Sequence, residues 1–299
     1  MVRLAVDSSD HPFDRLRMIG TSTQVRMGMA GGSVQSALGD RRKSDLVFEA
    51  GGGPKTILLL HGLFGTPEHW QEIIQQLSGS YRLIAPQLPI DHHPDRRRKG
   101  VQSIADLTDY LEDVIESLDL RDFVLCGNSL GGLIAIDYCL RHPAVPLGLV
   151  LAGSAGLYER SLTNGVKPRA TREFVRQVIS DIFYDDSLIT EQLVDQWHGW
   201  ASDRDYARFI LRISRATRDR CVEHELCQLD LPTMIVWGRN DEITPPDVAE
   251  TFRQQIRGAQ LRYIERCGHA PNLEQPQIFA EILSDFLPQC FAKATSHRR

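Results

Sequence analysis

The chain has 299 residues, with 34 Lys and Arg against 39 Asp and Glu, a formal net charge of −5, and 42% hydrophobic and 24% charged side chains. This is ordinary globular composition and excludes collagen-like, coiled-coil and wholly disordered chains. No apolar run approaches the roughly 18 residues that span a membrane, no secretory signal is expected from the first thirty residues, which lack an apolar h-region, and a pI near 6.1 gives no global reason to expect nucleic acid or an anionic membrane as partner. Cys126, Cys139, Cys221, Cys227, Cys267 and Cys290 show no CxxC spacing and read as buried free thiols of a reducing, cytoplasmic compartment.

Residues 1–45 are polar and weakly periodic, and read as a loosely ordered leader. From Leu46 onward, apolar runs alternate with amphipathic helical segments. Thr56–Leu60, Arg82–Ala85, Phe123–Cys126, Leu147–Leu151, Met234–Trp237 and Leu261–Ile264 are expected strands. Helices are expected around Ile104–Leu118, over Leu130–Leu140, and along the stripe Ile278, Phe279, Ile282, Leu283, Phe286 and Leu287. Strands that are apolar throughout, separated by helices, imply an α/β fold whose mostly parallel sheet is covered on both faces. The alternation stops between about Ser154 and Leu229, where Glu173–Phe183, Thr190 to about Trp200, and Tyr206–Thr217 are helical in texture. The expected organisation is therefore a body of residues 46–154 and 229–290, a helical insertion of 155–228 between two sheet strands, and a tail of 291–299.

The central chemical signal is Gly127-Asn128-Ser129-Leu130-Gly131-Gly132, between an expected strand and an expected helix. A strand that turns at once into a helix strains the residue at the turn, and the glycines let neighbouring backbone approach it. The Ser129 hydroxyl is then presented at the sheet edge, where the new helix aims its N–H groups at any oxyanion. Serine needs a base. His269, in Cys267-Gly268-His269-Ala270-Pro271 after the last expected strand, is the best placed of ten histidines; His61 reads as a structural loop residue. The base needs a carboxylate to fix its tautomer. Asp241 follows the strand ending at Trp237, with Asp247 and Glu242 as fallbacks.

The order serine, acid, histidine (129, 241, 269) and the motifs His61-Gly62-Leu63-Phe64-Gly65, Gly127-Asn128-Ser129-Leu130-Gly131, Gly238-Arg239-Asn240-Asp241 and Gly268-His269 resemble the α/β-hydrolase fold enzymes that carry a helical cap. The resemblance implies Ser129 as nucleophile, His269 as base and then acid, and Asp241 as orienter. It implies an oxyanion hole of two backbone N–H groups, Leu130 and Leu63, with Phe64 the alternative to Leu63. It implies no metal and no cofactor. Ser129 separates the chain from the haloalkane dehalogenase and epoxide hydrolase branches, which resemble it but use Asp. The implied reaction is acyl-enzyme hydrolysis of a small carboxylic ester or lactone. Gly-Asn-Ser and the cap are also similar to meta-cleavage-product hydrolases, which cut carbon–carbon bonds in dienoates, but that branch usually places Trp where this chain has Ala270. A non-catalytic scaffold is a third possibility. In the cap region Phe174, Val178, Phe183, Trp197, Trp200 and Phe209 recur on helical faces; Phe64, Asn128, Phe183, Trp197 and Trp200 are the candidate pocket residues.

Three weaker signals are read blandly. Gly51–Thr56 suits a hairpin turn better than a phosphate loop, because it precedes a strand. Asp91-His92-His93-Pro94-Asp95 matches no zinc spacing. Arg96–Lys99 reads as a solvated loop and gives no case for nucleic acid.

Overall fold

A computed structural model describes residues 47–92, 100–160 and 170–297, with side chains as far as Ala292. In chain order the elements are β1 (Val47–Ala50), β2 (Thr56–Leu60), a short 3₁₀ turn at Pro67–Trp70, α1 (Gln71–Leu77), β3 (Arg82–Pro86), α2 (Ile104–Ser117), β4 (Phe123–Asn128), α3 (Leu130–Arg141) and β5 (Gly148–Ala152). There follow α4 (Arg172–Ser180), α5 (Glu191–Ser202) and α6 (Arg204–Asp219), then β6 (Thr233–Gly238), α7 (Pro246–Gln255), β7 (Gln260–Ile264), α8 (Pro271–Glu274) and α9 (Pro276–His297).

The seven strands form one sheet in the order β1-β3-β2-β4-β5-β6-β7; β1 is antiparallel to β3 and the other pairings are parallel. The strand sequences explain the burial. Along β2, Leu58 and Leu60 face one layer with Leu125, Leu151 and Trp237, packed on α2, α3 and α7. Ile57 and Leu59 face the other, with Val124 and Val150, packed on Ile73 of α1 and on Phe279, Leu283 and Phe286 of α9. Both faces are dry, so period-2 alternation disappears and each central strand reads as an unbroken apolar run.

The structure corrects the reading of Gly51–Thr56. β1 pairs with β3 and not with its chain neighbour β2, so this segment is a crossover connection and not a hairpin turn. The last helix runs to His297, past the expected start of a tail at 291. The six cysteines are all free, but Cys221 and Cys227 are exposed and not buried. The leader 1–45, His93–Lys99 and residues 161–169 of the insertion lie outside the described residues. No helix among the described residues is long and apolar enough to cross a membrane.

After β2 the chain moves to β3 on one side, then returns across β2 to β4 on the other. The carboxyl ends of β2 and β4 therefore flank a topological switch point, where open α/β sheets hold ligands. The α4–α6 segment is anchored beside it at several places, among them two at its far end from the histidine loop. Tyr206 Oη donates to Ile90 O (3.1 Å) and His92 Nε2 meets Asp203 Oδ2 (3.1 Å) on the side of the segment after β3. Arg220, just past α6, reaches the buried Asp137 of α3 at 2.9 Å, and Arg141 pairs with the same carboxylate at 3.0 Å.

Candidate active site

Ser129 sits between the last residue of β4 and the first of α3, with φ 54° and ψ −120°. A left-handed φ is costly for a side-chain-bearing residue, on the order of 1–3 kcal/mol, and persists where surrounding bonds over-determine it. Here Ser129 N–H donates to Ala152 O (3.0 Å), while Ser129 O accepts from Gly132 N–H (2.9 Å), Leu133 N–H (3.3 Å) and Ala155 N–H (3.1 Å). The turn is so tight that a Cβ on Gly131 would lie 2.3 Å from Leu60 O, and one on Gly127 2.3 Å from the Gly131 carbonyl carbon. The Gly-x-Ser-x-Gly spacing is thus required by backbone contact.

The Ser129 Oγ lies 2.9 Å from His269 Nε2, and His269 Nδ1 lies 2.9 Å from Asp241 Oδ2 and 3.1 Å from Oδ1. The structure brings these three residues together from the ends of β4, β6 and β7, across as many as 140 residues of chain. Asp241 is itself held: its Oδ1 accepts the N–H groups of Ile243 and Thr244 (2.9 Å each), and its Oδ2 accepts Thr244 Oγ1–H (2.8 Å). Both fallback acids point elsewhere. Glu242 pairs with Arg160 (3.1 Å) and Asp247 is exposed on the first turn of α7. Burial pulls the His269 pKa down, but the charge and hydrogen bond of Asp241, reinforced by Glu159 and Glu274, outweigh it and raise the value above the ordinary histidine range. His61 is different: it accepts Leu88 N–H at Nε2 (3.0 Å), donates from Nδ1 to Gly62 O (2.9 Å), and burial drops its pKa to about 3. It is a neutral strut under the turn that follows β2.

That turn is closed by Gly65 N–H donating to Gly62 O (3.0 Å), and Phe64 within it has φ 63°. A Cβ on Gly62 would stand 3.1 Å from the Ser129 Cβ, which places the turn against the serine. The N–H groups of Leu63, Phe64 and Leu130 have no hydrogen bond to another described residue. Unpaired backbone donors of this kind can stabilise a negative charge.

An apolar cavity of about 560 Å³, part of it open to solvent, lies among α4, α5 and α6 and is closed on the body side by Phe64. Trp197 and Trp200 line it, with Phe64 and Trp197 ring centroids 4.4 Å apart. Two of the expected pocket residues do not line it. Phe183 is buried away from the cavity. Asn128 donates its amide to Ala152 O (3.0 Å) and His269 O (3.1 Å), so it staples two strand ends to the histidine loop.

Three residues here carried no sequence signal. Gly153 has φ 51°, and a Cβ there would lie 2.7 Å from His269 O. Glu159 keeps a buried Oε2 without a hydrogen-bond partner, and burial raises its pKa. Glu274 accepts backbone N–H groups on either side of His269.

A family profile described as the alpha/beta hydrolase family matches residues 57–282. The chain belongs to the alpha/beta hydrolase family. Among its relatives, a 2-hydroxymuconate semialdehyde hydrolase of Pseudomonas sp. (strain CF600) is 27% identical, over 76% of this chain and 84% of the relative. A monoacylglycerol lipase of Xenopus laevis is 24% identical, over 79% and 76%. The solved meta-cleavage product hydrolase of Pseudomonas fluorescens IP01 superposes with a TM-score of 0.71 at 25% identity, covering 81% of this chain and 93% of that one. The protein is a hydrolase of the alpha/beta fold.

Proposed function

We propose that this hydrolase cleaves an uncharged carboxylic ester or lactone through an acyl-enzyme on Ser129. The observation that carries the reading is the continuous hydrogen-bonded chain from Ser129 Oγ through His269 to Asp241, each link 2.9 Å, beside two sets of free backbone donors. Ser129 Oγ attacks the carbonyl carbon and its proton passes to His269 Nε2. The oxyanion takes N–H bonds from Leu130 and from Leu63 or Phe64. Collapse expels the alcohol, which receives the proton from His269. Water, deprotonated by the same imidazole, then attacks the acyl carbon and releases Ser129. Asp241 keeps the Nδ1–H tautomer and stabilises the imidazolium.

Residues 155–228 act as the cap in this reading, with the Trp197 and Trp200 cavity holding the acyl or alcohol group. The free thiols, four of them buried, suit a reducing compartment. Replacing Ser129 by Ala is expected to abolish p-nitrophenyl ester turnover and labelling by a fluorophosphonate, with the fold intact; retained turnover would sink the nucleophile, and an unlabelled wild type would favour a binding scaffold.

A second reading, carbon–carbon hydrolysis of a meta-cleavage dienoate, is favoured by the named activities of two relatives. Against it stand Ala270 and the cavity lining, which among the described residues includes no cationic side chain to receive a carboxylate. Rates on aryl esters, lactones and a dienoate with one preparation separate the two.

A further inference from the structure

The proposed chemistry leaves two carboxylates beside the site unused, Glu159 and Glu274, and only Glu274 is hydrogen-bonded to the histidine loop. Glu274 closes the one-turn helix α8, and its carboxylate turns back over the loop that carries His269. Gly268 N–H donates to it at 2.9 Å (Oε1) and 3.0 Å (Oε2), and Ala270 N–H at 3.2 Å (Oε1). The N–H groups immediately before and after the histidine therefore share one acceptor. The N–H of His269 itself goes elsewhere, to Ile182 O at 2.8 Å. Ile182 lies in the short segment after α4, and two residues on, Tyr184 N–H donates to Glu274 Oε2 at 2.8 Å. The loop and this segment are in close contact, since a Cβ on Gly268 would fall 2.5 Å from Ile182 O.

We infer that Glu274 is a positioning residue, which sets the place of the His269 imidazole by clamping the Ile182–Tyr184 segment of the insertion onto the loop of residues 268–270. The inference rests on the acyl-enzyme reading of Ser129. The imidazole must keep Nε2 within reach of Ser129 Oγ and Nδ1 on Asp241, and its main chain is fixed by Ile182 O and the Asn128 amide, with Glu274 holding both flanking residues. Helix α4 carries Phe174 and Val178 into the apolar cavity and runs directly into the clamped segment. The wall of the cavity and the seat of the base are thus one continuous stretch of chain.

The titratable and charged groups facing Glu274 are Cys267, His269 and Asp241 from the body and Tyr184, Asp185, Asp186 and Arg266 around the adjoining cleft. Its negative charge is one of those that hold His269 above the ordinary range. Glu274→Gln removes that charge and puts an NH₂ against backbone donors.

The test is steady-state hydrolysis of a p-nitrophenyl ester from pH 5 to 9 by the full chain, with melting temperature and fluorophosphonate labelling as controls. Glu274→Gln is expected to lower kcat by about 10- to 100-fold, the cost of a sub-ångström to ångström misplacement of a catalytic group. KM should stay within about twofold while the acid limb of kcat/KM moves to lower pH. A folded Glu274→Gln with wild-type kcat and an unmoved limb overturns the assignment, as does a lower kcat at an unmoved limb, which is what a merely structural carboxylate would give. Glu274→Asp keeps the charge but shortens the reach to Tyr184, so its limb should stay at the wild-type position with an intermediate kcat; if Glu274→Gln does not fold, wild-type kcat in Glu274→Asp overturns the assignment. Failure of the underlying reading looks different: Ser129→Ala would then retain turnover.

Discussion

Asp241→Asn isolates the orienting carboxylate, because the structure fixes how the new amide must sit. Asparagine has one acceptor oxygen where aspartate has two. The N–H groups of Ile243 and Thr244 both point at the Oδ1 position from 2.9 Å. Placing the NH₂ there would leave two buried donors unmet, at about 1–3 kcal/mol each. The oxygen therefore stays at Oδ1 and the NH₂ takes the Oδ2 position, 2.9 Å from His269 Nδ1. Two N–H groups cannot face each other, so the imidazole moves its proton to Nε2. Nε2 then has no lone pair for the Ser129 proton, and the imidazolium has lost its counter-charge. The expected loss in kcat is about 10⁴-fold, or roughly 5.5 kcal/mol of transition-state stabilisation. KM should change little, and the melting temperature should stay near wild type because both backbone donors keep their acceptor and the Thr244 hydroxyl, which now loses Oδ2, can turn to accept from the new NH₂. Initial rates and the amplitude of the p-nitrophenol burst measure this directly. A folded Asp241→Asn variant within tenfold of wild-type kcat would refute both the amide geometry and the role of Asp241.

Three further outcomes are expected. Since His269 is raised above the ordinary histidine range, and must be neutral to accept a proton, kcat/KM should fall as pH drops through a value above about 6.5; a profile flat from pH 5 to 8 contradicts that base. Gly153→Ala puts a Cβ at positive φ and 2.7 Å from His269 O, which should cost about 1–2 kcal/mol of stability from backbone strain alone, lower the melting temperature by several degrees, and reduce kcat about 10- to 100-fold by displacing the histidine loop; calorimetry with ester kinetics checks both, and an unperturbed variant would mean the loop yields freely. Trp197→Ala opens the cavity beneath Phe64 and should raise the octanoate-to-acetate ratio of kcat/KM by about tenfold, near 1.4 kcal/mol; an unchanged ratio would remove the acyl chain from this cavity.

Legibility in the sequence followed burial. The central strands β2, β4, β5 and β6 are dry on both faces, so their apolar runs stand out from the flanking helices. β1 is a half-exposed edge strand of four residues with no run at all, and without it the Gly51–Thr56 segment reads as a hairpin. Ser129, Asp241 and His269 were legible because each lies at or in the loop just after the carboxyl end of a strand and their order along the chain is itself a signal. Periodicity in α4–α6 showed which faces are apolar. It cannot show which apolar residues face the cavity and which face the body, and so it does not separate Phe183, which is buried off the cavity, from Trp197 and Trp200, which line it. Asn128, Gly153 and Glu274 act through partners remote in sequence or through backbone alone. The only local oddity at Glu274 is an acid at the end of a helix, where the dipole disfavours negative charge; its compensation, the three N–H groups, exists only in the folded chain.

The two halves of the site are held by different means, and this bears on how the fold can change substrate. Ser129 and the turn at Leu63 and Phe64 rest on the switch point of the sheet, where the serine backbone makes three main-chain bonds within the body and a fourth to Ala155, the first residue of the insertion. Altering α4–α6 leaves those bonds untouched. His269 is bonded to the body through Asn128 and Asp241 and to the insertion through Ile182. A sequence change in α4 that reshapes the cavity should therefore be transmitted to His269 and not to the Ser129 backbone. Substitutions at Phe174 or Val178 should accordingly alter kcat together with substrate preference, whereas substitutions on α5 at Trp200, which has no such link to the histidine loop, should act mainly on KM.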